Sequence, residues 1–245
     1  MTGTRRLFKI FTDLLGNTPF HPQFFSRSFL NRQVRLRARQ LVGIVADIGC
    51  GFGPYKKYFK RARYLGMDHP AGGVSNRPEG LDAFVDLTSL SLADACLDGV
   101  LCTQVLEHVR DPAKAVAEIG RVLKSGGKLL LSFPLFYPLH DEPYDYFRYT
   151  PHGLKRLLSE SGLNVIEIIP QGGFVTMSGE FLNLFCIHKI QNMLNSGIFL
   201  RILGFCVIPA FLVLALLINL VCIILSPFDS ERRFVMNYFV FAERL

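Results

Sequence analysis

Val45-Ala46-Asp47-Ile48-Gly49-Cys50-Gly51-Phe52-Gly53-Pro54 decides the fold: an apolar run stops at three alternating glycines followed by a proline. From Leu41 to Ile48 the chain is short, apolar and rich in β-branched residues, which predicts a strand buried on both faces of a parallel sheet. Glycines without side chains let a ligand approach backbone amides, and Pro54 suits the first turn of a helix starting there. A dinucleotide loop would read G-x-G-x-x-G, with a third glycine for close helix packing under a pyrophosphate. Here Pro54 occupies that place, so the nicotinamide reading loses weight.

Downstream the pattern of strand, turn and helix repeats. Tyr64 to Met67, Leu81 to Val85, Gly99 to Cys102 and Lys128 to Phe133 are strand candidates. Between the last two, Asp111 caps a helix that Pro112 opens, Ala115, Val116, Ile119, Val122 and Leu123 recur at helical spacing, and Ser125-Gly126-Gly127 ends it. A second helix runs from Pro151 to Ser161 behind Thr150, and Leu163 to Ile169 is again β-rich. Phe234 to Ala242 is the one later segment that reads as a closing strand. The expected fold class is α/β: a Rossmann-like, doubly wound, mostly parallel sheet with an antiparallel last strand, plus a C-terminal hydrophobic helical insertion. Ligands in such sheets bind beyond the C-terminal strand ends.

Four segments accompany the glycine loop in a fixed order. They are Tyr64-Leu65-Gly66-Met67-Asp68; Val85-Asp86-Leu87 with the loop Leu90 to Asp98; Thr103-Gln104-Val105-Leu106-Glu107-His108-Val109 at the exit of the fourth strand; and Arg121-Val122-Leu123-Lys124-Ser125-Gly126-Gly127. Jointly they resemble the class I S-adenosylmethionine-dependent methyltransferases, in particular the group labelled methyltransferase type 11, over about residues 44–169. The loop Leu90 to Asp98 lacks the prolines and aromatic residues usual there. The resemblance implies S-adenosylmethionine as cofactor. It implies that Asp47, Gly49, Gly51 and Gly53 line the pocket for its methionine part, that Asp68 accepts from the ribose hydroxyls, that Asp86 and Leu87 lie by the adenine and that Gln104 borders the cofactor. Glu107 and His108 would face the substrate, or else serve as cap and surface residues.

After the fifth strand, Phe133 to Thr150 is a loop crowded with aromatic and titratable groups, the kind of segment that carries function more often than packing. Its H-x-E-P-x-D-Y-F-R-Y-T wording resembles a methyltransferase subgroup of bacterial surface-glycan and lipid-linked pathways. His140 is the expected catalytic base, with Tyr144, Asp145 and Arg148 binding the acceptor or ordering the loop. An internal Asp145–Arg148 ion pair is the plainer alternative. The N/D-P-P-Y motif of amino-group methyltransferases is absent, so oxygen is the expected acceptor atom. Methyl transfer needs alignment and exclusion of water, with a base only where the acceptor is a hydroxyl.

Half of the chain is hydrophobic, its mean hydropathy is +0.29 and its net charge is +7. The charge suits an anionic membrane surface or nucleic acid. Arg27, Arg32, Arg35, Arg37 and Arg39 cluster, and Arg5, Arg6 and Lys9 accompany an apolar helical stripe through Leu7, Ile10, Phe11, Leu14 and Leu15, so residues 1–40 read as basic amphipathic helices. No RNA-recognition signature is present and no nucleic-acid partner is expected. The six cysteines lack C-x-x-C pairing, so neither a disulfide framework nor a metal is expected. There is no signal-peptide pattern.

No charged residue occurs from Ile202 to Leu225, a length of ~36 Å if helical, against a ~30 Å hydrocarbon core. A closing strand on the starting side of the membrane forbids a lone span. It leaves a helical hairpin, with Pro209 able to kink it into a re-entrant shape, or helices sunk in the interface; a lid helix buried in a dimer is the soluble alternative. Phe181 to Leu194 reads as amphipathic, with Glu180, Asn183, His188, Lys189 and Gln191 on its polar side, and Asn195-Ser196-Gly197 as a turn. The expected layout is a methyltransferase domain over 41–177 and 231–245, with residues 178–230 inserted as a membrane-associated unit. The expected partners are a membrane lipid surface and a small-molecule or lipid-linked acceptor, at the cytoplasmic face of a membrane. A scaffold module without turnover and a basic RNA methyltransferase are the rival readings.

Overall fold

The computed structural model describes residues 15–70 and 81–245, so the basic stripe from Arg5 to Leu14 lies outside the described residues. The chain divides into two compact units, Leu30–Gln171 with Asn237–Leu245, and Met1–Phe29 with Gly172–Met236. The division falls inside the helix α1, Phe24–Ala38.

The larger unit is built on a seven-stranded sheet. Its strands are β1 (Gly43–Ile48), β2 (Ala62–Asp68), β3 (Ala83–Phe84), β4 (Leu97–Thr103), β5 (Leu123–Pro134), β6 (Leu163–Pro170) and β7 (Asn237–Arg244), in the order β3-β2-β1-β4-β5-β7-β6. All neighbours are parallel except β7, which runs antiparallel to both β5 and β6. The sheet is Rossmann-like with a reversed penultimate strand, as the apolar segment near the C-terminus predicts. Strand order reverses between β1 and β4, so the ends of these strands open the crevice where such sheets take ligands.

Val45, Ala46, Val100, Leu101, Leu129, Leu130 and Leu131 are fully buried on consecutive positions, because helices cover both faces of a parallel sheet. Helix α2 (Pro112–Val122) starts where Asp111 accepts the Lys114 N–H at 3.0 Å, and it buries Ala115, Val116, Ile119 and Val122. Helix α3 (Pro151–Glu160) starts where Thr150 accepts from Gly153 N–H at 3.1 Å and buries Leu154 and Leu158. Both starts stand where the cap residues put them. Strand β3 is only two residues long, shorter than its Leu81 to Val85 reading.

In the smaller unit, α4 (Phe174–Leu194) and α5 (Ile198–Leu225) form an antiparallel hairpin about the turn Asn195-Ser196-Gly197. Small residues set the approach: a Cβ on Gly179 would lie 2.4 Å from Cys222 Sγ, and one on Gly204 would lie 3.0 Å from Leu194 Cδ2. Two expectations are corrected here. Helix α5 continues through Pro209 in place of a re-entrant break; a pyrrolidine at that position costs one backbone bond, and the flanking turns carry the helix on. Glu180 and Asn183 are fully buried and do not form a polar outer side, whereas Leu182 and Phe185 are exposed. The buried polar groups have partners within the unit. Asn183 Nδ2 donates to Asn219 Oδ1 at 3.1 Å, Asn219 Nδ2 donates to the Pro19 and His21 carbonyls at 2.7 and 3.1 Å, and Ser26 donates its N–H and hydroxyl to Glu180. Periodicity alone assigns polar residues to water, and it cannot see partners that distant segments supply.

Candidate active site at the strand ends

The glycine loop leaves β1 with Gly49, Gly51 and Gly53 all at positive φ, the left-handed conformation that only glycine adopts at little cost. A Cβ on Gly49 would fall 2.3 Å from Val105 Cγ2, so this glycine is required by packing against the exit of β4. A Cβ on Gly51 would meet nothing within 4 Å and one on Gly53 only Tyr64 Oη at 3.7 Å, so the loop borders open space.

The predicted helix after this loop is not formed. A single 3-10 turn, Lys56–Tyr58, follows, because only the residues from Pro54 to Arg61 separate the loop from β2. The amides are also committed within the chain: Gly49 and Cys50 N–H donate to Met67 O, Gly53 N–H to Cys50 O and Gly51 N–H to Asp68 Oδ2 at 2.8 Å. The loop therefore offers a concave backbone surface, with no helix terminus aimed at a ligand.

Asp68 ends β2, nearly buried, and its other oxygen accepts from His69 N–H at 2.7 Å. Each carboxylate oxygen keeps a lone pair for a further donor. Asp47 is buried beneath the loop and accepts the Tyr64 hydroxyl. Burial, and the Asp68 charge after it, push its carboxyl up to about 7 against the lowering effect of Tyr64. Tyr64 was not singled out in the sequence; an aromatic hydroxyl in a strand gives no signal until the neighbouring strand is known. Gln104 leaves β4 at φ 55° and donates its amide to Ser132 Oγ at 3.1 Å. Leu87 is buried, while Asp86 is exposed and accepts from the Thr88 N–H and hydroxyl, which turns the chain. In place of the missing prolines, Arg121 holds the loop after it by donating to the Leu90 and Leu92 carbonyls and to Asp94.

Beyond β4 and β5 the structure brings together the residues that the sequence reading assigns to an acceptor. Glu107 and His108 sit in a 3-10 turn after β4, and the Glu107 carbonyl accepts from Tyr146 N–H at 2.8 Å, pinning the loop that follows β5. His108 Nδ1 lies 2.8 Å from the Tyr144 carbonyl, while the Tyr144 ring is exposed. The His108 and His140 rings meet edge to face at 4.8 Å between centroids. His140 Nδ1 lies 3.3 Å from Asp145 Oδ2 and 3.3 Å from the Pro138 carbonyl. Arg148 forks onto both oxygens of Asp145, so the plainer alternative, an internal ion pair, is realised, with His140 held by the same carboxylate. Burial opposes charge on Asp145, but the bonds from Arg148 and the His140 N–H outweigh it and bring it down to about 2. Burial lowers the His140 imidazole from its usual value, against the opposing pull of Asp145. His140 is thus neutral at pH 7, with Nδ1–H hydrogen-bonded to the Pro138 carbonyl beside the Asp145 carboxylate, and Nε2 left as an acceptor.

Glu107 is wholly buried and so does not face an acceptor across open solvent. Among the described residues no other residue donates a hydrogen bond to either of its oxygens, and burial pushes its carboxyl up to about 8.

Residues 46–131 match the sequence family described as methyltransferase domain. A protein of Mycolicibacterium smegmatis named a probable S-adenosylmethionine-dependent methyltransferase is 33% identical over 137 residues, covering 51% of this chain and 53% of that protein. A ubiquinone biosynthesis O-methyltransferase of Hahella chejuensis is 36% identical over 99 residues, covering 36% of this chain and 42% of that one. The chain thus spans about half the length, or less, of these relatives. The crystal structure of an S-adenosylmethionine-dependent methyltransferase from Mesorhizobium loti superposes with TM-score 0.52 at 14% identity, covering 91% of this chain and 98% of that one, a likeness of fold. The chain carries a methyltransferase domain of the class I S-adenosylmethionine-dependent kind. S-adenosylmethionine is the cofactor of that domain, and the open side of Gly51 beside the Asp68 carboxylate fits it.

Proposed function

We propose that the protein transfers a methyl group to a hydroxyl of a lipid-linked, glycan or other membrane-resident acceptor. The bound cofactor supplies an electrophilic methyl on a sulfonium. Asp68 would accept from the ribose hydroxyls, and Gly51 and Gly53 would leave room for the methionine part, above buried Asp47. Gln104, fixed by Ser132, borders the same crevice. On the acceptor side Asp145 orients His140, whose Nε2 takes the hydroxyl proton as the new bond forms. Arg148 keeps Asp145 charged, and Tyr144, the most exposed ring of the loop, would contact the acceptor. The observation carrying this reading is that the His140–Asp145 pair and an open glycine loop follow strands of one sheet at the same end. The oxygen assignment is supported by the relative named as an O-methyltransferase. Calorimetry with S-adenosylmethionine, and methyl transfer to lipid extracts against transfer to RNA, test it; saturable cofactor uptake and labelled lipid are expected.

The membrane part of the reading rests on the hairpin. Helix α5 has mean hydropathy 3.0 over its most apolar window, only 22% of which is buried, and Val213, Leu217 and Val221 on one side are each more than half exposed. Polar Asn183 and Asn219 face inward while leucines and phenylalanines face out, the arrangement lipid favours and water does not. Both ends of the hairpin connect to β6 and β7 of one sheet, so the chain would enter and leave lipid on the same side. Lysine at Val213, Leu217 and Val221 together should move the protein from the membrane pellet to the supernatant with cofactor binding retained. Retention in the pellet would remove the anchor from the reading.

A further inference from the structure

Glu107, His108 and His140 each offer a ligand-type atom, and these atoms all lie within 4.8 Å of one another. The three come from two different strand exits, the turn after β4 and the loop after β5, so the fold and not local sequence gathers them. Two imidazoles and one carboxylate form a donor set for a divalent first-row transition cation, with positions left for exogenous oxygen.

The surroundings match what such ligands require. A metal-bound imidazole donates its other ring N–H to a carboxylate or carbonyl, which fixes the ring and the tautomer. His140 has Asp145 and the Pro138 carbonyl at Nδ1, and His108 has the Tyr144 carbonyl at Nδ1, so both Nε2 atoms are left for a ligand. Asp145 is itself held by Arg148 through both oxygens. The third donor, Glu107, is a fully buried carboxylate that no other described residue hydrogen-bonds, with His108 Nε2 at 3.9 Å from its Oε1. Burying an acid in this way is costly unless a cation or a donor arrives. Donors at ~2.1 Å from a tetrahedral ion stand ~3.4 Å apart, so the site would close slightly on loading.

We infer that Glu107, His108 and His140 bind a divalent transition cation beside the acceptor position. The inference rests on reading this end of the sheet as the acceptor side. With the cation bound, His140 Nε2 would be a ligand in place of the base, and the cation would acidify a coordinated hydroxyl, whose proton would pass to solvent.

The test uses the full-length chain in detergent, stripped with chelator and titrated with cobalt(II) and zinc(II) chloride, with S-adenosylmethionine uptake measured on the same material. One cation per chain and a cobalt absorption spectrum of mixed nitrogen and oxygen ligation are expected. Glu107→Gln and His140→Ala should each weaken uptake by at least about 100-fold, and Asp145→Asn by about 10-fold, while cofactor uptake persists and shows the variants folded. His152→Ala, at an exposed position in α3, should change nothing. Uptake of cofactor without cation by the unaltered chain, or cation affinity equal in Glu107→Gln, overturns the inference and leaves the methyltransferase reading standing. Cation uptake without cofactor uptake keeps the site and removes that reading.

Discussion

Asp145 holds His140 from two directions: its Oδ2 accepts the His140 backbone N–H at 3.1 Å and lies 3.3 Å from the ring Nδ1. Main chain and ring are therefore oriented by one carboxylate, which Arg148 in turn keeps ionised. His140→Ala should lower kcat by about 10²- to 10⁴-fold, the usual contribution of a positioned base. Asp145→Asn should cost at least about 10-fold through misorientation. Cofactor affinity from calorimetry should stay within about twofold of the parent in both, since the proposed function puts the pair on the acceptor side. An unchanged kcat in His140→Ala removes the base assignment.

Gly49 and Gly51 share a conformation but not a reason for being glycine. Gly51→Ala costs only the left-handed backbone penalty, ~1–2 kcal/mol, because its Cβ meets nothing; it should fold and bind cofactor at least about tenfold more weakly. Gly49→Ala adds a 2.3 Å clash with Val105 and should lose substantially more stability. Thermal melts and calorimetry on both variants separate the two effects. Equal melting temperatures would contradict the packing argument.

Asp47 gives the sheet one source of pH dependence. Its folded value of about 7 exceeds the ordinary 3.8, so the folded chain holds the proton more tightly than the unfolded one. The stability linked to that proton is complete below about pH 4 and is lost as pH rises from there to about 7. At ~1.4 kcal/mol per pH unit the ceiling is ~4 kcal/mol. Denaturant midpoints of Asp47→Asn and the parent, measured without cofactor from pH 4 to 8, should therefore diverge in favour of the variant as pH rises. Parallel curves would mean that Asp47 keeps its charge on folding.

Asn219 ties the hairpin to the segment before α1 through the Pro19 and His21 carbonyls. Asn219→Leu leaves those carbonyls and the Asn183 amide without this partner, at ~1–3 kcal/mol. Limited proteolysis in detergent should cut residues 15–23 at least about fivefold faster in the variant. Asn183→Leu removes one of these bonds and should show a smaller change.

Local chemistry was enough to read the strand ending at Ile48, the caps Asp111 and Thr150, the glycines of the loop and the apolar length of α5, because each is set by neighbours within a few residues. The residues assigned to an acceptor were likewise legible as types, His140, Asp145 and Arg148 in one loop and Glu107 and His108 in another. What the chain alone left open was their meeting. That Glu107 is buried next to two imidazoles, that Tyr64 covers Asp47, that Glu180 and Asn183 turn inward and that no helix follows Gly53 all depend on which strands become neighbours and on how much chain remains between them. Those relations are fixed by pairing and burial between separate segments, from Tyr64 and Asp47, 17 residues apart, to Ser26 and Glu180, 154 apart, and no periodicity within a segment encodes them.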